Sequence, residues 1–278
     1  MTTFLARRER FEAVGSTNDV VRSWLADGTP EVCLAVAGAQ TAGRGREGRA
    51  WLAPPGAALL LSVGFRPTWL APDRAWRLAA VATLAMAAAA ERVAGLAAGT
   101  IALKWPNDLV IAAPDGAEPS TGAGRSVRKV AGVLGETDGL GTTDPRVVVG
   151  LGVNVDWPAA DFPPSLTRSM SSLREAADGR SIDRDDLLEE FIEGLEPGVE
   201  ALRRGDFDDE QWGRRQVTTG RTIRLITPVG DALVDAVGVD AASGALLIAD
   251  PGAPDAIRHV VVGEIVHVRL ADPIAERV

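Results

Sequence analysis

Along the chain, apolar runs of strand length alternate with helical stripes up to about residue 217, and only short strand-like runs follow. Residues 10–15 read as a strand. Ser16-Thr17-Asn18-Asp19 then offers helix-capping side chains ahead of Val20, Val21, Trp24 and Leu25 at helical spacing, with Gly28 and Pro30 as the stop. Strands are predicted over 32–37, 57–65, 101–105, 109–112, 129–136 and 146–155, and an alanine-rich helix over roughly 73–98. A second helix from Asp183 carries Leu187, Leu188, Phe191, Ile192 and Leu195 on one face, and Pro197 is expected to kink or end it. From Thr218 the runs 222–226, 232–239, 245–249 and 257–270 alternate with turns at 240–244 and 251–255, the pattern of a small β-barrel. The expected division is therefore 1–217 and 218–278.

Composition narrows the class. The chain has 278 residues, 46% hydrophobic and 24% charged, enough for a sizeable core, and its formal net charge of −9 argues against non-specific grip on nucleic acid. The single cysteine, Cys33, sits among apolar neighbours and reads as a small buried hydrophobe. With no disulfide framework, a reducing cytoplasm is the natural setting. The N-terminus lacks the apolar core of a signal peptide, and the apolar run 78–90 is short of the roughly 20 residues a membrane helix needs, so no membrane partner is expected.

The most informative stretch is 38–51, Gly-Ala-Gln-Thr-Ala-Gly-Arg-Gly-Arg-Glu-Gly-Arg-Ala-Trp. Gly43, Gly45 and Gly48 allow close backbone approach to a ligand. Arg44, Arg46 and Arg49 alternate with them, supplying planar guanidinium forks for an anion, and Trp51 adds a flat stacking surface. Gly43 to Gly48 also fits G-x-G-x-x-G literally. That motif needs a following helix, and Pro54-Pro55-Gly56 stands there instead, so a dinucleotide site is excluded. The three arginines repel one another without an anion between them, so the free loop is expected to be mobile.

Three other segments carry polar chemistry, each with an ordinary explanation when taken alone. Ser16, Thr17 and Asn18 are either caps or a cluster facing a polar ligand head. Lys104-Trp105-Pro106-Asn107-Asp108 is turn chemistry, with Lys104 and Asp108 a surface pair worth well under about 1 kcal/mol. Lys129 is a solvated strand-end lysine. The run Gly150-Leu151-Gly152-Val153-Asn154 places glycines inside a strand, which often marks a close approach. Asn154 has a donor and an acceptor suited to a base edge. Residues 113–128 have no apolar periodicity and read as a mobile excursion.

Taken together and in this order, Ser16-Thr17-Asn18, the arginine loop, Lys104 to Asp108, Lys129 to Glu136 and Gly150 to Asn154 resemble the biotin protein ligases, the biotin–[acetyl-CoA-carboxylase] ligases. The resemblance implies an α+β fold, with a mixed β-sheet catalytic domain, flanking helices and a C-terminal SH3-like β-barrel. It implies activation of biotin by MgATP to biotinyl-5′-AMP, then transfer to a lysine of a biotin carboxyl carrier domain. By the same resemblance Ser16, Thr17, Asn18 and Gln40 hold the ureido ring. Arg44, Arg46 and the Gly45 backbone meet carboxylate and phosphate, and Lys129 stabilises charge between them. Gly43, Arg49, Trp51, Asn107 and Asn154 serve the nucleotide, and Asp108 either orders this part or assists Mg²⁺. No residue is assigned as a resident metal ligand; Mg²⁺ comes with ATP.

The motifs begin by residue 16, so a DNA-binding domain ahead of them and DNA binding itself are not expected. A monomer or a homodimer fits the sequence equally. The alternatives are a lipoate or octanoate ligase of the same superfamily, or a biotin-dependent repressor.

Overall fold

The computed structural model describes residues 4–112, 127–261 and 267–273. The excursion read at 113–128 therefore lies outside the described residues except for Val127 and Arg128, which open a strand.

Seven strands form one mixed sheet: β1 (Arg7–Val14), β2 (Cys33–Gln40), β3 (Ala58–Phe65), β4 (Ala102–Lys104), β5 (Asp108–Ala112), β6 (Val127–Asp138) and β7 (Arg146–Asn154), ordered β1-β2-β3-β7-β6-β5-β4. Only β1 and β2 run parallel, joined by α1 (Thr17–Ala26); every other neighbour is antiparallel. Alternation along β2 explains the layering. Cys33 and Ala35 pack against Val21, Trp24 and Leu25 of α1, while Leu34 and Val36 face the opposite core.

That opposite face is covered by α2 (Trp76–Ala94) and α4 (Arg184–Arg203). Gly95 ends α2 in the left-handed conformation that a C-terminal glycine adopts cheaply. Asp183 caps α4 by accepting from the Asp185 and Asp186 amides. Of the two outcomes expected at Pro197, a kink and an end, the end does not occur: α4 continues through it. Its stripe continues as Val199 and Leu202, buried with Leu188, Phe191 and Leu195. Next to the proline, Gly198 admits Val81 so closely that a Cβ there would lie 2.5 Å from Val81 Cγ1. Burial on both sides of the lost hydrogen bond outweighs the break.

A short α3 (Leu173–Ala176) and α5 (Asp209–Arg214) precede the C-terminal strands β8 (Arg221–Thr227), β9 (Gly230–Val239), β10 (Leu246–Asp250), β11 (Ala253–Val260) and β12 (His267–Pro273). Their antiparallel sheet has the order β11-β10-β9-β8-β12. Among the described residues β11 and β12 are its two edges, so the pairing is that of an open sheet and not of the closed barrel expected. The single strand read over 257–270 is likewise two strands, and the turn read over 251–255 is already β11 from Ala253. The reason is topological: β11 pairs with β10 at one edge and β12 with β8 at the other. Ile223, Leu225, Val234, Leu246, Ile248, Val260 and Val268 form a separate hydrophobic cluster under this sheet.

Candidate functional site

The site lies on the α1 face of the large sheet, where the helix begins. Ser16, Thr17 and Asn18 are all buried there, as is Ser62 of β3. Ser16 occupies the cap position without making a capping hydrogen bond. The Gln40 side-chain oxygen accepts from the Thr17 amide at 2.7 Å and from its hydroxyl at 3.1 Å. Ser62 Oγ lies 2.7 Å from Thr17 Oγ1 and 2.6 Å from Asn18 Oδ1. Gly150, paired with Ser62 across β3 and β7, is glycine because Asn18 stands where its Cβ would be.

Asn18 Nδ2 donates to Glu136 at 2.9 Å, and Glu136 also accepts from Arg44 at 3.3 Å. Arg44 forks onto Asp19 at 2.7 and 2.8 Å. The Arg44 hydrogen bond holds the Asp19 carboxyl below the usual carboxylate range, and Asp19 in turn raises Arg44. The expected repulsion among the loop arginines is thus relieved at Arg44 by two acids. The loop also folds on itself: the Gly45 amide donates to Arg49 O at 2.6 Å, and the Trp51 amide to Gly43 O at 2.9 Å. A Cβ on Gly43 would lie 2.6 Å from Trp51 O, so this glycine is required by close approach. Arg46 is drawn inward, and burial lowers its pKa while the Glu47 carboxylate, 3.9 Å away, opposes that.

Trp51 rests on a glycine floor. Gly132 and Gly152 are register partners on β6 and β7, and a Cβ on Gly152 would lie 2.5 Å from Trp51 Cε2. The close approach foreseen at the strand glycines is thus made by side chains of this chain. Lys129 Nζ lies 5.3 Å from the Trp51 ring centroid and 2.5 Å from Asp108 Oδ1. Lys104 Nζ is 3.8 Å from Asp108 Oδ2, with both side chains nearly buried, so the surface pair read from the sequence is an interior one.

The two asparagines stand differently from the other predicted residues. Asn107 brackets β6, its side chain donating to Val133 O at 2.9 Å and its carbonyl accepting from the Val133 amide. Asn154 is fully buried and donates to Ser171 O at 2.9 Å, while its Oδ1 has no partner. The sequence reading missed Ser62, Asp19 and Glu136 as members of the site. Ser62 had a signal, a lone hydroxyl in an otherwise apolar strand; the two acids had none. Among the described residues no group of three or more His, Cys, Asp or Glu side chains is arranged to hold a metal ion, and no helix is long and apolar enough to cross a membrane.

Known proteins with this arrangement agree with one another. The sequence profile of the biotin/lipoate A/B protein ligase family matches residues 11–154. The biotin–[acetyl-CoA-carboxylase] ligase of Mycobacterium tuberculosis is 31% identical over 260 residues, covering 92% of this chain and 86% of its own. The bifunctional ligase/repressor BirA of Bacillus spizizenii is 27% identical over 231 residues; the match covers 82% of this chain but only 65% of that longer protein. Among solved structures, the Aquifex aeolicus biotin protein ligase in complex with biotin and ATP superposes with a TM-score of 0.74 at 23% identity, over 95% of this chain and 99% of the other. The chain belongs to the biotin/lipoate A/B protein ligase family.

Proposed function

We propose that the chain is a biotin–protein ligase, which uses MgATP to convert biotin to biotinyl-5′-AMP and then biotinylates a lysine of a carboxyl carrier domain. The observation that carries this reading is the buried polar cluster of Ser16, Thr17, Asn18, Gln40 and Ser62. A ureido ring supplies donors and an acceptor to such a cluster. The dithiolane of lipoate or the chain of octanoate would offer these groups no hydrogen-bonding partner.

The first half-reaction joins two anions, the biotin carboxylate and the α-phosphate. In this reading Arg44, Arg46 and the Gly45 backbone meet the carboxylate and phosphate, and Arg49 adds a further cation on the loop. The Lys129 ammonium would act as an electrostatic stabiliser of the developing charge and not as a nucleophile. Trp51 would cover the adenylate, with Gly43 permitting that closure. Asn154 Oδ1, a buried acceptor without a partner, is suited to the adenine amino group, and Asn107 supports this region through β6.

Mg²⁺ would enter on the ATP phosphates. Asp108 is the carboxylate nearest Lys129, and it is engaged by two lysines. In the second half-reaction the carrier lysine attacks the anhydride carbonyl and AMP leaves.

The division at residue 217 and an SH3-like unit from 218, its sheet open among the described residues, are part of this reading, supported by the separate hydrophobic cluster and by the β8–β11 meander to which β12 returns alongside β8. The net charge of −9 favours a ligase without DNA affinity, and a single cysteine with no disulfide framework favours a reducing, cytoplasmic setting.

The test is mass spectrometry of a carboxyl carrier domain incubated with the protein, biotin and MgATP, alongside biotin-dependent ATP–pyrophosphate exchange without carrier. A biotinyl mass increment on one lysine and exchange with biotin are expected. Equal exchange with lipoate would overturn the assignment.

A further inference from the structure

Trp105 belongs by sequence to the turn 104–108 of the large sheet, but its side chain belongs to the other core. The indole is 2% exposed and packs with Ile223, Leu225, Val234, Leu246 and Val268 of the C-terminal sheet. Its backbone amide donates to Thr218 Oγ1 at 3.0 Å, and its Nε1 donates to Gly244 O at 3.0 Å. The strand leading into it is held by the same junction: Leu103 N–H donates to Arg215 O at 2.7 Å, and Val217 N–H to Leu103 O at 2.8 Å.

The other end of the turn is fixed on β6 by the Asn107–Val133 bracket. Asp108 follows this bracket directly and is in contact with Lys129. Lysine is a point charge on a flexible four-carbon stem, so its location is set by what it pairs with. Asp108 has no such freedom, because its backbone is paired on both sides, with Lys104 next to Trp105 and with Gly132 of β6. The ammonium is thus located through a short strut whose foot is Trp105.

We propose that Trp105 is a positioning residue for adenylate formation, transmitting the packing of the C-terminal sheet through Asp108 to the Lys129 ammonium. The proposal rests on the ligase reading above. It makes the C-terminal sheet part of the first half-reaction. A misplacement on the order of 1 Å at a reacting centre can cost about 10²-fold in rate. Trp105→Phe keeps most of the packing and loses the Nε1 donor, so about a tenfold fall in the exchange kcat is expected, with the KM for biotin within about twofold of the parent.

A residue that merely glued two cores together would weaken every variant alike. A residue acting through Asp108 has nothing left to act on once that carboxylate is gone. The experiment is therefore a double-mutant cycle on the full chain, reading biotin-dependent ATP–pyrophosphate exchange for the parent, Trp105→Phe, Asp108→Asn and the double variant. Thr218→Val, which removes the other acceptor of Trp105, is carried through the same cycle in case Trp105→Phe folds poorly.

The expected result is a fall in kcat for Trp105→Phe or Thr218→Val in the parent and no further fall in the Asp108→Asn background. Equal, additive falls in both backgrounds would overturn the proposal, as would no fall in the parent. If the parent shows no biotin-dependent exchange, the ligase reading itself fails. That outcome is distinct from additivity in an active parent.

Discussion

Gly152→Ala tests the glycine floor beneath Trp51. The added methyl would sit 2.5 Å from Cε2, 2.7 Å from Nε1 and 2.9 Å from Cζ2 of the indole, so the ring must lift. Overpacking of this kind costs about 1–3 kcal/mol. Trp51 terminates the arginine loop and hydrogen-bonds Gly43, so the lift is passed to the loop. If biotin and adenylate need the seated ring, this cost appears in the ligand equilibrium, and at about 1.4 kcal/mol per tenfold biotin binding weakens by about 5- to 150-fold.

The assay is calorimetric biotin binding with the exchange KM measured in parallel. Gly135→Ala is the control: it lies on the neighbouring strand β6, and a Cβ there meets nothing within 4 Å, so its effect should stay within about 0.5 kcal/mol. Pairing Gly152→Ala with Trp51→Phe removes the atoms nearest the methyl and should recover part of the loss. Affinity unchanged in Gly152→Ala, or no recovery in the pair, would refute the idea that the floor seats Trp51 for binding.

Lys129→Ala should lower the exchange rate by a factor on the order of 10² or more while biotin affinity falls less; an unchanged rate would return Lys129 to a purely structural pairing with Asp108. Glu91 is buried, accepting from Arg215 at 2.8 and 2.9 Å and from the Gly99 and Ile101 amides at 2.9 Å. Glu91→Ala leaves those donors stranded and should cost about 3–5 kcal/mol in a urea melt, and a loss below about 1 kcal/mol would contradict it. Burial pushes the Cys33 thiol up to about 11, so a thiol reagent at neutral pH should label it only after denaturant is added, and rapid native labelling would count against that burial. Asp19→Asn frees one partner of Arg44 and should speed tryptic cleavage at that residue, which biotin plus MgATP should slow again; identical digestion of parent and variant would show that the pair does not hold the loop.

The strands and helices of the large sheet were legible because apolar periodicity and its stops were clear on both sides of each turn. The ends of β11 and β12 were not, since nothing local in an apolar run says that the chain leaves one sheet edge for the other. That the helix does not end at Pro197 has a related reason: local backbone chemistry opposes a helix there, and the opposing burial against Val81 and Ala85 becomes visible only in three dimensions. At the site, residue types identified the donors. The acids that hold Arg44, Asp19 and Glu136, are ordinary surface-looking residues whose partner lies on a distant segment.

Those acids change what arrival of a negatively charged ligand means. Arg44 is not a bare cation awaiting a counterion; it already shares two carboxylates, one of which also carries Asn18. A carboxylate or phosphate reaching the loop would enter by ion exchange, displacing an acid of the protein instead of neutralising an empty charge. Binding by exchange leaves the number of ion pairs on Arg44 nearly constant, so its salt dependence should be shallow, and simple anions such as chloride should compete poorly. The displaced Glu136 would in turn loosen its hold on Asn18, so the anion end of the site and the polar end would be felt by each other through a single side chain.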